Sequence, residues 1–145
     1  MSVARSKVGL CVGELKSETN TMFQKTCVYA FGGIGKDKQA LKTVEQFNVK
    51  ANVWRGIANL NIARSSASGS VMGDHLYVFG GTNESTIERF NLKSSMVKVV
   101  EQFELLDVKL PLSASEIGII PFTDQELILI GGFGGAHNEK ERCLN

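Results

Sequence analysis

The amino-acid sequence predicts an all-β fold of repeated small sheets, and three observations carry that expectation. Short apolar runs at 27–31, 76–79 and 127–130 each end in a Gly-Gly doublet. Four or five residues are too few for a helix that must bury a face, and the branched and aromatic composition suits buried strands. The doublets Gly32-Gly33, Gly80-Gly81 and Gly131-Gly132 recur at intervals of 48 and 51 residues, so a structural repeat is the first thing to test. Between them lie the alternating stretches 43–47 and 86–90, in which every second side chain faces the same way along a strand.

Superposing the doublets aligns more than glycine. Residues 44–50 match residues 87–93 with four of seven identities, which pairs Phe47 with Phe90. Seven residues beyond each Phe stands a large apolar residue, Trp54 in one unit and Val97 in the other. Upstream, Ala4-Arg5-Ser6 echoes Ala63-Arg64-Ser65.

The first unit spans about 3–58, with strands expected at 3–12, 27–33, 43–48 and 53–58 and an insertion at 14–25. The second spans about 63–103, with strands at 64–72, 75–81, 86–91 and 96–102. The third, about 112–135, holds only strands 115–121 and 126–132 and is half a unit. Residues 98–110 read as strand followed by loop, because Val97-Lys98-Val99-Val100 favours extended backbone. Residues 100–103 copy 44–47 letter for letter, but no doublet precedes them at the required distance, and that register is set aside.

A hydrophobic strand, Gly-Gly, an aromatic and then Trp about seven residues later resemble the kelch repeat, the blade unit of one β-propeller family. The resemblance implies four-stranded antiparallel blades packed face to face. The structural repeat residues are then Gly32, Gly33, Phe47, Trp54, Gly80, Gly81, Phe90, Gly131 and Gly132. Two and a half blades fall short of the roughly four to eight of a closed ring. Two copies give five blade-equivalents with an orphan half-blade in each, so the missing blades are expected from a longer chain.

Composition excludes several function classes. The chain has 145 residues, with sixteen basic against fifteen acidic residues and a net charge of +1. Neither a nucleic-acid nor a membrane surface is an expected partner, since both call for a basic stripe. Three cysteines without a C-x-x-C pair, and two histidines without a third ligand, suggest neither disulfide framework nor metal site. The thiols read as small buried hydrophobes in a reducing, intracellular and cytoplasmic setting. Residues 30–37 imitate a phosphate loop, but Ala30 and Asp37 occupy the positions that need Gly and Ser or Thr. Glu45 and Glu88 occupy one repeat position on two blades, which favours a structural or solvent-facing role over an acid–base pair. No catalytic residue and no cofactor is expected.

Arg5 and Arg64 open the first strand of successive blades and are followed by serines. In kelch propellers that receive substrates for ubiquitin ligases, this position lines one mouth of the ring and binds acidic peptides. The resemblance therefore implies a partner-binding set of Arg5, Ser6, Arg64, Ser65 and Ser66. The alternative is that the arginines tie neighbouring blades together through backbone carbonyls. The implied function is a non-enzymatic protein-interaction or scaffold module. The competing readings are a fragment of a propeller enzyme acting on a sugar or other small molecule, and an actin-type cytoskeletal contact.

Overall fold

A computed structural model describes residues 1–16, 24–93, 102–123 and 126–134. Among them every regular element is a strand. The first sheet runs in the order β1(Gly9–Lys16), β2(Gln24–Phe31), β3(Val44–Asn48), β4(Val53–Gly56). The second repeats that order with β5(Ser68–Met72), β6(His75–Phe79), β7(Thr86–Asn91), β8(Glu104–Lys109). All pairs within both sheets are antiparallel meander neighbours. The third unit comprises β9(Ala114–Ser115), β10(Gly118–Pro121), β11(Leu127–Ile130) and β12(Phe133–Gly134), in which β10 pairs with β11 and β12 with β9. The all-β expectation of four-stranded antiparallel blades in an open array holds.

Each unit packs its face on the next. Cys27, Tyr29 and Phe31 of the first sheet share a core with Leu76, Val78 and Phe90 of the second. Phe79 and Ile87 of the second share another with Ile117, Ile119, Leu127 and Leu129 of the third. The alternation of strand side chains makes this two-sided: Tyr29 and Phe31 face forward along the array, while Leu76 and Val78 face back. Phe31 fills the gap between Gly9 and Gly69, where an added Cβ would lie 2.1 Å and 2.4 Å from its ring. Those two glycines are the room the aromatic needs.

The doublets act at the same joints. Gly33 N–H donates to the Arg64 carbonyl at 2.8 Å and Gly81 N–H to the Ala114 carbonyl at 2.9 Å. All six doublet glycines have positive φ, from 54° to 120°, a region that a side chain disfavours. A Cβ on Gly32 or Gly80 would also collide with the next unit's carbonyl, at 2.3 Å from Arg64 O and 2.2 Å from Ala114 O.

Several elements depart from the sequence reading: the second unit's first strand begins at Ser68 and not at Arg64, and the stretch 115–121 is broken into β9 and β10. The first strand begins at Gly9, and the residues before it form a strap in which Ser6 exchanges backbone hydrogen bonds with Ile34 at 2.7 and 3.0 Å. The fourth strand of the second sheet is Glu104–Lys109, downstream of 96–102. Phe103 stacks on Phe90 with ring centroids 5.0 Å apart, and Trp54, opposite Phe47 in the register, meets it as a tilted pair at 5.0 Å. The chain takes a longer path between its third and fourth strands here, so counting seven residues from Phe90 misses the partner. Val97, most of 96–102, His137 and Cys143 lie outside the described residues.

Candidate functional site

In the first and second units the strap that precedes the first strand carries an arginine, and the sheet it enters offers a glutamate. Arg64 places Nη2 2.9 Å from Glu88 Oε1 and Nε 3.1 Å from the same oxygen. Its Nη1 donates to the carbonyls of Gly80 (2.7 Å) and Thr86 (2.9 Å), and Nη2 also donates to Thr86 Oγ1 at 2.7 Å. Arg5 repeats the arrangement, with Nη1 on the carbonyls of Gly32 (2.8 Å) and Thr43 (2.9 Å) and Nη2 on Glu45 Oε2 at 2.7 Å. Both guanidinium groups are 0% exposed. The planar fork suits this work, since its donors serve a carboxylate and carbonyls in fixed directions.

The glutamates complete the joint. Glu88 accepts the backbone N–H groups of Asn61 (2.6 Å) and Ile62 (3.1 Å) in the strap. Glu45 accepts Ser2 N–H at 2.6 Å and Ser2 Oγ–H at 2.7 Å. Burial works to raise the Glu45 carboxyl, but the Ser2 donors and the Arg5 guanidinium outweigh it and hold it below its ordinary value. Both glutamates are structural, and neither faces solvent.

The guanidinium groups of Arg5 and Arg64, to which the resemblance gives an acidic-peptide role, are enclosed, with both terminal nitrogens bonded within the chain. They tie strap to sheet, close to the alternative weighed on the sequence. Ser65 is buried, its Oγ 3.2 Å from Thr82 Oγ1. Ser6 is exposed and Ser66 half-buried. The third unit has Ala114 in the arginine position.

Next to these joints lies an open groove of about 380 Å³, lined by the starts of all three first strands. Lys7, Ser66 and Glu116 occupy equivalent positions around it. All three have left-handed backbone, with φ of 49°, 52° and 58°. A carbonyl ladder links them: Ser66 N–H donates to Lys7 O at 2.8 Å, and Glu116 N–H to Ser66 O at 3.0 Å. Ser66 belongs to the set the resemblance implied, whereas no sequence signal marks Lys7 and Glu116, because neither is Gly, Asn or Asp and the three side chains differ. Lys7 and Glu116 are exposed beside the apolar Val8 and Ile119.

Among the described residues the remaining titratable groups show no reactive constellation. Burial pushes the Cys11 thiol up to about 12, where it stays protonated. Among the described residues no three His, Cys, Asp or Glu side chains are placed to hold a metal ion. Among them, too, no helix is long and apolar enough to cross a membrane.

Comparison with known proteins agrees with the geometry. The kelch motif model matches residues 19–61 and 63–95. Kelch repeat protein M-T8 of Myxoma virus is 33% identical over 76 residues, covering 52% of this chain and 15% of that protein. A kelch repeat-containing protein of Dictyostelium discoideum is 29% identical over 91 residues, covering 61% of this chain and 14% of its own length. An F-box/kelch-repeat protein of Arabidopsis thaliana is 28% identical over 71 residues, covering 47% and 17%. The chain thus spans less than a fifth of each of these relatives. With half of its residues matched by the motif and two sheets of the same strand order joined by the same contacts, the chain belongs to the kelch-repeat family.

Proposed function

We propose that this chain supplies blades to a protein-binding kelch propeller and that its partner face is the groove rimmed by Lys7, Ser66 and Glu116. The observation that carries this reading is the left-handed backbone at all three rim positions. Non-glycine residues in that region cost of order 1 kcal/mol each and concentrate at functional sites. Kelch repeats are commonly protein-interaction modules, and a concave face with side chains on repeated scaffold positions suits that use. Because the arginines are spent inside the blades, the favoured partner is not simply acidic. It is a peptide segment that meets Lys7 and Glu116 with opposite charges and lays an apolar residue against Ile119. Further kelch sequence in a longer polypeptide completes the ring, as the small share of each relative's length supports. Buried Cys27 and the protonated Cys11 thiol fit a reducing, intracellular setting.

The test compares proteins retained from a cell extract by the immobilised chain, by a Lys7→Glu/Glu116→Lys variant and by an Arg55→Glu control on the outer strand β4. The reading expects one set of proteins to be lost from the rim variant and kept by the control. An identical retained set for all three overturns it.

A further inference from the structure

The first and second units differ most where their second strand leads into the third. Seven residues separate Gly33 from Leu41, whereas two separate Gly81 from Glu84. Leu41 and Glu84 hold the same place in the two units. Their carbonyls accept a strap N–H, from Arg64 at 3.1 Å and from Ala114 at 3.3 Å, and their own N–H groups donate to Gly33 O and Gly81 O at 2.9 and 3.1 Å. The first unit thus carries an insertion of five residues at this point.

The insertion is an ordered hairpin. Gly35 N–H donates to the Gln39 carbonyl at 2.9 Å and Lys38 N–H to the Gly35 carbonyl at 3.1 Å, while Ile34 bridges Ala40 across the base. Lys38 takes left-handed backbone at the turn, with φ of 63°. Residues 36–39 are all exposed. The hairpin stands beside the groove rim, because Ile34 exchanges backbone hydrogen bonds at 2.7 and 3.0 Å with Ser6, the neighbour of Lys7.

Charge separates the two sides of this face. On the first unit Lys7, Lys36, Lys38 and Lys42 are exposed. Asp37 is the one acidic residue in 34–42, and its carboxylate accepts Gln39 N–H at 3.1 Å within the hairpin. The short loop of the second unit, 82–85, contains no basic residue. Its Glu84 carboxylate accepts the N–H groups of Ser85 (3.0 Å) and Thr86 (2.9 Å). Lys109 sits on the outer strand β8, three strands from the groove-lining β5. The face is therefore positive over the first unit and carries the exposed Glu116 carboxylate at the far end of the rim. Gathered lysines of this kind attract and orient anionic groups.

The rim also sets a length. Its carbonyl ladder steps from Lys7 to Ser66 to Glu116, and two steps at the usual strand separation are about 10 Å, which about three extended residues span. We propose, resting on the reading of the groove as the partner face, that the 34–40 hairpin is its specificity element and that the bound segment is ordered by charge. Read outward from Glu116, that segment places a basic residue there, an apolar one over Ile119, and acidic residues from about three positions onward, where Lys7, Lys36 and Lys38 meet them. The second unit has no matching hairpin on its side, so the order of charges fixes the direction in which the segment lies.

A random-peptide phage library panned on the immobilised 145-residue chain tests this. The enriched peptides are expected to share a basic residue and, about three positions away, an acidic cluster. Panning on Lys36→Glu/Lys38→Glu, which alters two exposed side chains and is expected to leave thermal unfolding unchanged, should keep the basic and apolar positions and lose the acidic cluster. A synthetic copy of the wild-type consensus should bind that variant about tenfold more weakly by fluorescence anisotropy, with a smaller dependence on salt. An acidic cluster that persists on the hairpin variant, or a wild-type consensus without one, overturns this inference alone, provided Lys7→Glu/Glu116→Lys still changes the consensus. A consensus that Lys7→Glu/Glu116→Lys leaves unchanged, or no consensus on the wild-type chain, overturns the groove reading and this inference with it.

Discussion

Arg64 and Glu88 form an ion pair at 2.9 Å in which both side chains are 0% exposed, and Arg5 repeats it with Glu45 one unit earlier at 2.7 Å. A buried pair of charges is a poor source of stability on its own, because desolvation offsets most of the attraction. These pairs repay their burial through the other bonds they make. Arg64 satisfies two carbonyls and a hydroxyl, and Glu88 satisfies two strap N–H groups and the Asn61 side chain. Each pair therefore fixes where one strap crosses onto its sheet.

Removing one partner leaves the other charged, buried and unpaired. Arg64→Met is expected to lower unfolding free energy by about 3–5 kcal/mol, the cost usual for breaking a buried pair. Urea denaturation followed by Trp54 fluorescence reads this directly.

The Glu45 carboxylate gives a pH dependence with a definite sign. Its folded pKa lies below the ordinary value of 4.5, so its contribution is complete above that pH and is lost as pH falls through the folded value. Glu45→Gln is expected to cost about 2 kcal/mol at pH 7, the scale of hydrogen bonds to a charged group. The gap between variant and wild type should narrow below about pH 4.5, as measured by urea titrations at pH 7 and pH 3.

Gly80→Ala and Gly131→Ala separate backbone strain from collision. Both place a side chain at positive φ, worth about 1–2 kcal/mol. Only Gly80 also faces a carbonyl, 2.2 Å from the added carbon, and overpacking of that kind adds about 1–3 kcal/mol. Thermal unfolding should rank Gly80→Ala clearly below Gly131→Ala.

Phe103 is buried against Phe90, whereas Trp54 and Phe47 remain half-exposed. Phe103→Ala is expected to cost about 3–5 kcal/mol, as core aromatic truncations do. Trp54→Ala should cost less despite the larger side chain, with both read by circular dichroism during urea unfolding.

The repeat itself was legible in the sequence because the same joint recurs and needs the same small residues each time. Gly32 and Gly80 stand where a Cβ and the next strap compete, and Gly131 repeats their left-handed backbone, so the spacing of the three reports the architecture. Phe103 escaped because the link before it is longer than its counterpart, and a fixed count from Phe90 pointed to Val97. The arginine–glutamate pairs escaped for a similar reason. Arg5 and Glu45 are 40 residues apart while Arg64 and Glu88 are 24 apart, and this unequal spacing hides a common contact. Lys7, Ser66 and Glu116 share a backbone conformation and not a residue type, so only the folded chain brings them together.

The most direct measurement is a double-mutant cycle on Arg64→Met and Glu88→Gln, with unfolding free energies in urea at pH 7. Arginines that hold straps to sheets require strong coupling, with the double variant losing at least about 1.5 kcal/mol less than the sum of the singles. Single variants as stable as wild type, with additive effects, would show that Arg64 is free of the sheet and available to a partner.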